Sequence, residues 1–182
     1  LIERSLRVNS VAAAKTLQEG MVQGQYSDSN FTEFSLASFL TAPTAVESDG
    51  NYIWECNSGA VIPMIVKIRP TDGHYVGVFY LPLGFDCIDM VFDGTYMWAA
   101  SSGAMIGVER INVNSHVMTY FNTGITVRGL SFDGAYLWAT AYNNNQLLKI
   151  IPSTVVITAS FPTLGGGGPY GTGARRLGVL DL

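Results

Sequence analysis

The sequence predicts an all-β protein built from repeated four-stranded antiparallel sheets, and three observations lead to this prediction. The pattern Asp-Gly-x-Tyr-x-Trp occurs three times, with its tryptophans 44 and then 40 residues apart. Downstream of each copy, a basic residue followed by Ile leads into a turn rich in Pro, Asn, Ser and Thr. Each unit also divides into four short segments rich in β-branched and aromatic residues. The repeated residues are Asp49, Gly50, Tyr52 and Trp54, then Asp93, Gly94, Tyr96 and Trp98, then Asp133, Gly134, Tyr136 and Trp138.

The first unit shows how the local sequence defines each strand. Its four predicted strands are "TAVES", "YIWEC", "IVKIR" and "YVGVFYL". The Asp-Gly pair joins the first two strands in a tight turn, because Gly accepts a positive φ and Asp can hydrogen-bond its own backbone. Tyr52 and Trp54 are two residues apart, so both side chains point to the same face of their strand. Four-stranded sheets repeated about every 40 to 45 residues are typical of β-propeller blades.

The residue pattern of the repeat also resembles the repeats of known propeller families. Asp-Gly, an apolar residue and Trp, followed by Lys-Ile or Arg-Ile and a Pro or Asn turn, is similar to the repeats of virginiamycin B lyase-like, YncE-like and NHL-type propellers. The form "FDGxYxW" further resembles propeller segments of phage and bacterial surface proteins. The resemblance covers about Thr41–Leu182 and implies the propeller fold. Virginiamycin B lyase-like enzymes use a metal-assisted His and Glu site, for which this sequence offers no matching pair.

Counting the units gives three full blades with a partial blade on each side. Ser35–Leu40 matches the last strand of a preceding blade, and Arg176–Asp181 matches the first strand of a following one. Closed propellers typically use about four to eight blades, so three cannot close a ring. Open sheet edges are ordinarily covered. We therefore expect other copies of the chain or neighbouring proteins to complete the propeller, for example two three-blade arcs forming a six-bladed ring.

The first 34 residues differ from the repeats, and we treat them as an N-terminal arm preceding the propeller region of residues 35–182. Apolar residues at helical spacing predict a helix over part of Ile2–Gly20, or a shorter helix that starts at Val11 behind a cap at Asn9-Ser10. An arm packed on the propeller is the simpler interpretation. A tether or an oligomerisation element is the alternative.

Composition excludes several classes of function. The chain has 182 residues, of which 48% are hydrophobic and 13% charged, with a formal net charge of -4. No basic stripe is present for a phosphate backbone, so nucleic acid is not an expected partner. No apolar run approaches the roughly 18 to 20 residues of a membrane-spanning helix. Localisation stays open, with an extracellular or virion-surface position favoured.

The two cysteines, Cys56 and Cys87, lie in or beside strand-like runs. A small buried thiol is the ordinary finding at such positions, so the sequence favours free core thiols over a disulfide. Spacings typical of metal sites, nucleophile elbows and phosphate-binding loops are absent from the sequence. We therefore predict no catalytic residue, no metal site and no cofactor. His74 and His116, which begin the fourth segments of their units, are expected to be solvated.

Two loops are candidates for binding. The turn between the second and third strands of the last unit offers amide groups and an aromatic side chain for carbohydrate or protein contacts, although it can equally be a solvated turn. Its residues are Tyr142, Asn143, Asn144, Asn145 and Gln146. The glycine-rich stretch Leu164–Arg176 lacks the following helix that a phosphate site requires, so it is expected to connect two blades. Arg175 and Arg176 within it are candidates for contacting an acidic partner.

These features favour a non-enzymatic structural or interaction module, a propeller scaffold in a larger assembly such as a phage virion, a phage tail or a cell surface. One alternative is a propeller enzyme of the metal-assisted lyase or hydrolase type, which requires clustered His and carboxylates. A second alternative is a lectin-like propeller that binds a glycan or a surface receptor. The lectin predicts one equivalent pocket per blade, and the dissimilar second turns of the three units argue against that.

Overall fold

The computed structural model describes residues 5–8, 32–35, 42–58 and 62–163. These residues form a two-stranded sheet and three four-stranded antiparallel sheets. We number the larger sheets blade 1, blade 2 and blade 3 in chain order. The small sheet is β1 (Ser5–Val8) and β2 (Thr32–Ser35). Blade 1 is β3 (Pro43–Ser48), β4 (Ile53–Asn57), β5 (Met64–Ile68) and β6 (Tyr75–Tyr80). Blade 2 is β7 (Cys87–Phe92), β8 (Tyr96–Ser101), β9 (Gly107–Asn112) and β10 (Met118–Phe121). Blade 3 is β11 (Val127–Phe132), β12 (Leu137–Ala141), β13 (Gln146–Ile151) and β14 (Val156–Pro162).

Each blade is a meander in which strands adjacent in sequence pair with each other. The predicted four-stranded units are therefore confirmed, with strand ends close to those expected from the sequence. The Asp-Gly turn is the same in all three blades. Gly50, Gly94 and Gly134 have φ of 91°, 98° and 100°, values that a side chain disfavours. The repeated glycine is thus explained by the backbone conformation of the turn.

The N-terminal arm contains a strand within the segment for which a helix was one prediction. Ser5–Val8 pairs antiparallel with Thr32–Ser35, so the helix predicted over part of Ile2–Gly20 does not include residues 5–8. The physical reason is the sequence Ser-Leu-Arg-Val, which alternates polar and apolar residues as a strand does. The alternative helix starting at Val11 and the predicted strand beyond Ser35 lie outside the described residues. Among the described residues, no helix is long and apolar enough to cross a membrane.

Neighbouring blades pack face to face. The tryptophan-bearing face of blade 1, with Trp54 and Phe79, forms one apolar core with Met97 and Ile111 of blade 2. The corresponding face of blade 2, with Trp98, packs against blade 3 in a second core. The first strands of the blades lie together, since β7 contacts β3 on one side and β11 on the other. This convergence places the first strands innermost and the fourth strands at the periphery.

The prediction of free cysteines is wrong. Cys56 on β4 and Cys87 on β7 form a disulfide across the junction between blade 1 and blade 2, and both residues are fully buried. Their Cα atoms are 6.0 Å apart, within the normal range for a bridge. The sequence favoured isolated thiols because each cysteine lies in or beside a strand-like run, where a small buried thiol is the ordinary finding. Packing one blade on the next brings them into contact.

A bulge recurs at the same place in every first strand. The register of the first strand against the second shifts between Pro43 and Ala45, between Cys87 and Asp89, and between Val127 and Gly129. A bulge bends a strand and increases its local twist. Its repetition shows that the three blades share detailed backbone geometry as well as topology.

Candidate functional site

The repeated aspartate organises the same hydrogen bonds in each blade. In blade 2, Asp93 Oδ1 accepts the backbone N–H groups of Thr95 and Tyr96 at 2.8 and 2.7 Å. Its Oδ2 accepts the indole Nε1–H of Trp98 at 2.7 Å. Asp49 and Asp133 make the corresponding three bonds at 2.7 to 2.8 Å. The aspartate therefore closes the turn and orients the tryptophan five residues later.

A basic residue on the third strand lies opposite each tryptophan. Lys67 pairs with Trp54, and its Nζ lies 4.4 Å from the centre of the Tyr52 ring and 4.9 Å from that of the Trp54 ring. Such short distances allow cation–π attraction. The contacts also confirm that Tyr52 and Trp54 face the same way. Arg110 lies over Tyr96 and Trp98 in blade 2, and Lys149 over Tyr136 and Trp138 in blade 3.

The same basic residues connect neighbouring blades. Lys67 Nζ donates to the carbonyl oxygen of Val113 in blade 2 at 3.1 Å. Arg110 Nη1 donates to the carbonyl oxygen of Pro152 in blade 3 at 3.3 Å. Val113 and Pro152 occupy equivalent positions, as the first residue of the turn into the fourth strand. Blades 1 and 2 thus each use their basic residue to bind the next blade.

The tryptophan face of blade 3 is exposed where the other two are covered. Trp54 and Trp98 are fully buried, whereas Trp138 is only half-buried. Phe161, which packs beside Trp138 as Phe79 does beside Trp54, is 45% exposed, compared with 7% for Phe79. Within the described residues, no carbonyl group accepts a hydrogen bond from Lys149. We call Trp138, Lys149 and Phe161 the open face of blade 3.

The predicted binding loop of blade 3 is a single turn of 3₁₀ helix, Tyr142–Asn144, ended by Asn145 in the left-handed conformation. Asn143, Asn144 and Asn145 are exposed, and Gln146 begins β13. The guanidinium group of Arg128 lies 4.2 Å from the centre of the Tyr142 ring. The residues are therefore together in one loop, and their binding role stays a prediction. Arg175 and Arg176 lie outside the described residues.

A groove that the sequence analysis missed lies between the Asp-Gly turn of blade 1 and blade 2. Its volume is about 220 Å³, and its walls include Asp49, Tyr52 and Lys67 from blade 1 and Phe92 and Asn114 from blade 2. The groove forms only when two blades meet, so no single repeat contains it. The signal available in the sequence was the recurrence of an aromatic residue directly before the Asp-Gly of the second and third units.

Within residues 42–58 and 62–163, no three His, Cys, Asp or Glu side chains lie close enough together to hold a metal ion. His74 and His116 are exposed, as the sequence predicted. The His116 ring packs edge-on against Phe79 with ring centres 5.3 Å apart, so it contributes to the surface between blades 1 and 2.

Two carboxyl groups are buried in the sheets. Glu55 on β4 is fully buried, and neither of its carboxyl oxygens has a hydrogen-bond partner in the part of the chain that the structure describes. Burial raises the pKa of Glu55 from its ordinary value of 4.5 to about 8. Burial likewise raises the pKa of Glu109 on β9 to about 7. Burial therefore favours the neutral acid over the carboxylate at both positions.

We expect the stability of the protein to fall as the pH rises from about 5 to about 8. In this window the folded state holds protons on Glu55 and Glu109 that the unfolded chain has lost, so the slope of stability against pH is negative. Replacing Glu55 with glutamine should flatten this slope and stabilise the protein at pH 8 by at least about 1 kcal/mol. Urea unfolding at several pH values measures both effects. Glu47→Gln is not a suitable control because its carboxyl is also partly buried and its pKa is raised by that burial, so Asp72→Asn on the surface serves instead.

An unchanged slope in Glu55→Gln, or a loss of stability at pH 8, would show that the carboxylate is charged and stabilised in the folded state. Asp72→Asn should leave the slope between pH 5 and 8 unchanged, because the pKa of Asp72 is lowered by its bond with Arg69 and lies below this window.

No protein-family model and no curated protein matches the sequence of this chain. Solved structures do match its fold. A streptogramin B lyase has a TM-score of 0.61 at 19% identity, with 75% of this chain and 45% of that chain covered. The nidogen/laminin complex has a TM-score of 0.61 at 13% identity, with 77% and 55% covered. Hydrazine synthase of Kuenenia stuttgartiensis has a TM-score of 0.59 at 13% identity, with 70% and 50% covered.

The protein has a β-propeller fold. The predicted fold class and the resemblance to propeller repeats are thereby confirmed. The chain spans about half the length of the solved structures that it matches. At sequence identities this low, the similarity to these structures supports only the fold. Some matching propellers are enzymes by name, and others are not.

Proposed function

We propose that the protein is a non-enzymatic interaction module, a propeller scaffold that assembles through the open face of blade 3. One observation supports this proposal above all others. Trp138, Lys149 and Phe161 are the counterparts of the residues that bind the next blade at both internal junctions, and here Phe161 is 45% exposed while Trp138 and Lys149 are only partly buried. A surface built for a sheet-on-sheet contact favours a second sheet as its partner.

The internal junctions indicate the chemistry of that partner. Trp98 packs against aliphatic and small residues of the next blade, namely Leu137, Ala139 and Ile150, while Arg110 binds a turn carbonyl. A partner for the open face should therefore offer an apolar sheet face with a small central residue and an accessible carbonyl near its rim. A sheet in another copy of this chain is the partner that we propose.

The larger setting that we propose is a virion, a phage tail or a cell surface. The low proportion of charged residues and the polar turns are consistent with a surface component. The disulfide between blades 1 and 2 supports an oxidising environment, since such bonds persist mainly outside the cytosol. An extracellular location is therefore part of the proposal.

The assembly is tested by measuring the molar mass in solution by size-exclusion chromatography with light scattering. The unmodified protein should elute with the mass of at least two chains. Phe161→Asp introduces a charge into the open face, and Lys149→Glu reverses one. Both variants should shift the protein toward the monomer, because an unpaired charge in an apolar interface is costly.

Val117→Asp is the matched control, because Val117 is 61% exposed in a turn of blade 2, away from the open face. It should assemble like the unmodified protein. Circular dichroism establishes that each variant is folded. Two open-face variants are used so that the test still holds if one of them fails to fold. A folded monomer at every concentration of the unmodified protein would overturn the proposal, as would assembly that is unaffected by both open-face variants.

A further inference from the structure

We infer that the groove between blade 1 and blade 2 binds a neutral sugar unit. The groove lies at the rim that carries the Asp-Gly turns, on the opposite side of the sheets from the loop Tyr142–Gln146. It is built from the internal junction and does not include the open face of blade 3. The inference is therefore independent of the assembly proposed above.

The floor of the groove is polar but carries no net charge. Lys67 and Asp49 form a buried ion pair, with Nζ 3.9 Å from Oδ2 and both side chains less than 10% exposed. Both Asp49 oxygens already accept hydrogen bonds from the turn and from Trp54. The Lys67 ammonium has three donors; one is directed at the Val113 carbonyl, and the group also faces Asp49 and the rings of Tyr52 and Trp54, so at most one donor is left for a ligand hydroxyl. Paired charges at the floor favour a neutral ligand over an ion.

The walls combine aromatic rings with amide groups. Tyr52 and Phe92 line the groove from opposite blades, and Asn51 and Asn114 stand exposed at its rim. Aromatic rings pack against the apolar C–H face of a sugar, while amides donate and accept hydrogen bonds with its hydroxyl groups. This mixture of apolar body and polar edge matches a pyranose ring.

The size of the groove limits the ligand. Its volume of about 220 Å³ lies below the roughly 300–1,000 Å³ of pockets that hold drug-sized ligands. One sugar unit fits such a space, and the groove's open side leaves room for the remainder of a chain to extend into solvent. A single shallow site of this kind implies weak binding, with a Kd in the range of about 1 mM.

Acidic, basic and aromatic residues recur at the corresponding positions of the junction between blades 2 and 3, so part of the rim surface is repeated. A lectin-like propeller requires such equivalent positions, and the loops at the other rim do not supply them. At the junction between blades 2 and 3, hydroxyl groups replace the amides of Asn51 and Asn114. We therefore expect this second junction to bind a sugar more weakly than the groove between blades 1 and 2. The corresponding residues are Asp93, Thr95, Tyr96, Arg110, Phe132 and Ser153.

Binding is tested by nuclear magnetic resonance of the ¹⁵N-labelled protein. The probes are the methyl glycosides of glucose, galactose, mannose and N-acetylglucosamine, with inorganic phosphate and glycerol as comparisons. The indole N–H signal of Trp54 reports on the groove, because it bonds to Asp49 at the floor. At least one glycoside should shift this signal saturably, while the Trp138 signal, which lies at the open face, stays in place.

Asn51→Ala and Asn114→Ala should each weaken the binding of that glycoside roughly fivefold, as expected for the loss of one hydrogen bond. Asn122→Ala is the matched control, since this amide is also exposed but lies at the other rim and outside both candidate binding loops. The inference is overturned if no glycoside shifts the Trp54 signal, if phosphate or glycerol shifts it as strongly, or if both rim variants bind as well as Asn122→Ala. None of these outcomes bears on the molar mass of the assembly.

Discussion

Replacing Trp98 with alanine is expected to lower the free energy of unfolding by about 3–5 kcal/mol. Trp98 is fully buried between blades 2 and 3, where it is the largest side chain of the second core. Its removal leaves a cavity that two opposing sheets cannot fill without moving apart. Asp93 and Arg110 also lose their contacts with the indole ring. Urea unfolding followed by circular dichroism measures the loss.

Trp138→Ala is the matched control for this prediction. It removes the same indole from the same repeat position, with the same bond to an aspartate, but on a half-buried face. The expected loss is about 1–2 kcal/mol when the protein is dilute enough to be monomeric. Trp98→Phe should recover part of the loss in Trp98→Ala, because a phenyl ring fills much of the cavity. Equal losses for Trp98→Ala and Trp138→Ala in the monomer would contradict the difference in burial.

Local repetition explains why the blades could be predicted from sequence. The Asp-Gly turn, the paired aromatic residues and the basic residue on the third strand are all defined within one unit. Their roles depend on hydrogen bonds and strand alternation over a few residues. The predicted strand "IVKIR", for example, differs from the observed β5 by one residue at each end. Three copies of the same local pattern also reveal the repeat that a single copy would not.

Contacts between blades could not be predicted in this way, because they join residues from different units. Lys67 was recognised as part of a turn signal, and its bond to Val113 becomes visible only when the next blade is in place. The groove beside it also forms only when the next blade is in place.

The bulge of the first strand was missed for another reason. The residues at the bulge, Thr44, Ile88 and Arg128, share no chemical property that marks them in the sequence.

The burial of carboxyl groups is a second kind of feature that was not predicted from the sequence. Glu55 follows Trp54 directly, and at the equivalent positions the other blades have Ala99 and Ala139. An alanine there fits a packed face without cost, whereas a glutamic acid must give up its charge. Departure from the repeat at one position is thus the signal that could have identified Glu55. At this position only blade 1 has a side chain that can ionise. The stability of blade 1 therefore depends on pH through Glu55, and the other two blades have no such dependence at the equivalent position.

Breaking the Cys56–Cys87 bridge is expected to lower the free energy of unfolding by about 3–4 kcal/mol. The bridge joins residues 31 positions apart, and a cross-link restricts the unfolded chain more strongly as this separation grows. The double variant Cys56→Ala, Cys87→Ala removes it without leaving an unpaired thiol. The same bridge ties β4 of blade 1 to β7 of blade 2, so its loss should also loosen the first junction more than the second.

Urea unfolding of the oxidised protein with and without dithiothreitol gives the energetic effect, and hydrogen exchange of the amides in β4 and β11 compares the two junctions. The double variant is its own control, because a reductant should leave its stability unchanged. Alkylation with N-ethylmaleimide in urea without reductant should add no mass to the oxidised protein, since both sulfur atoms are in the bridge. Uptake of two labels there, or an oxidised protein no more stable than the reduced one, would show that blades 1 and 2 are held together without the bridge, by packing and by the hydrogen bonds of Lys67 to Val113 and of Thr44 to Cys87.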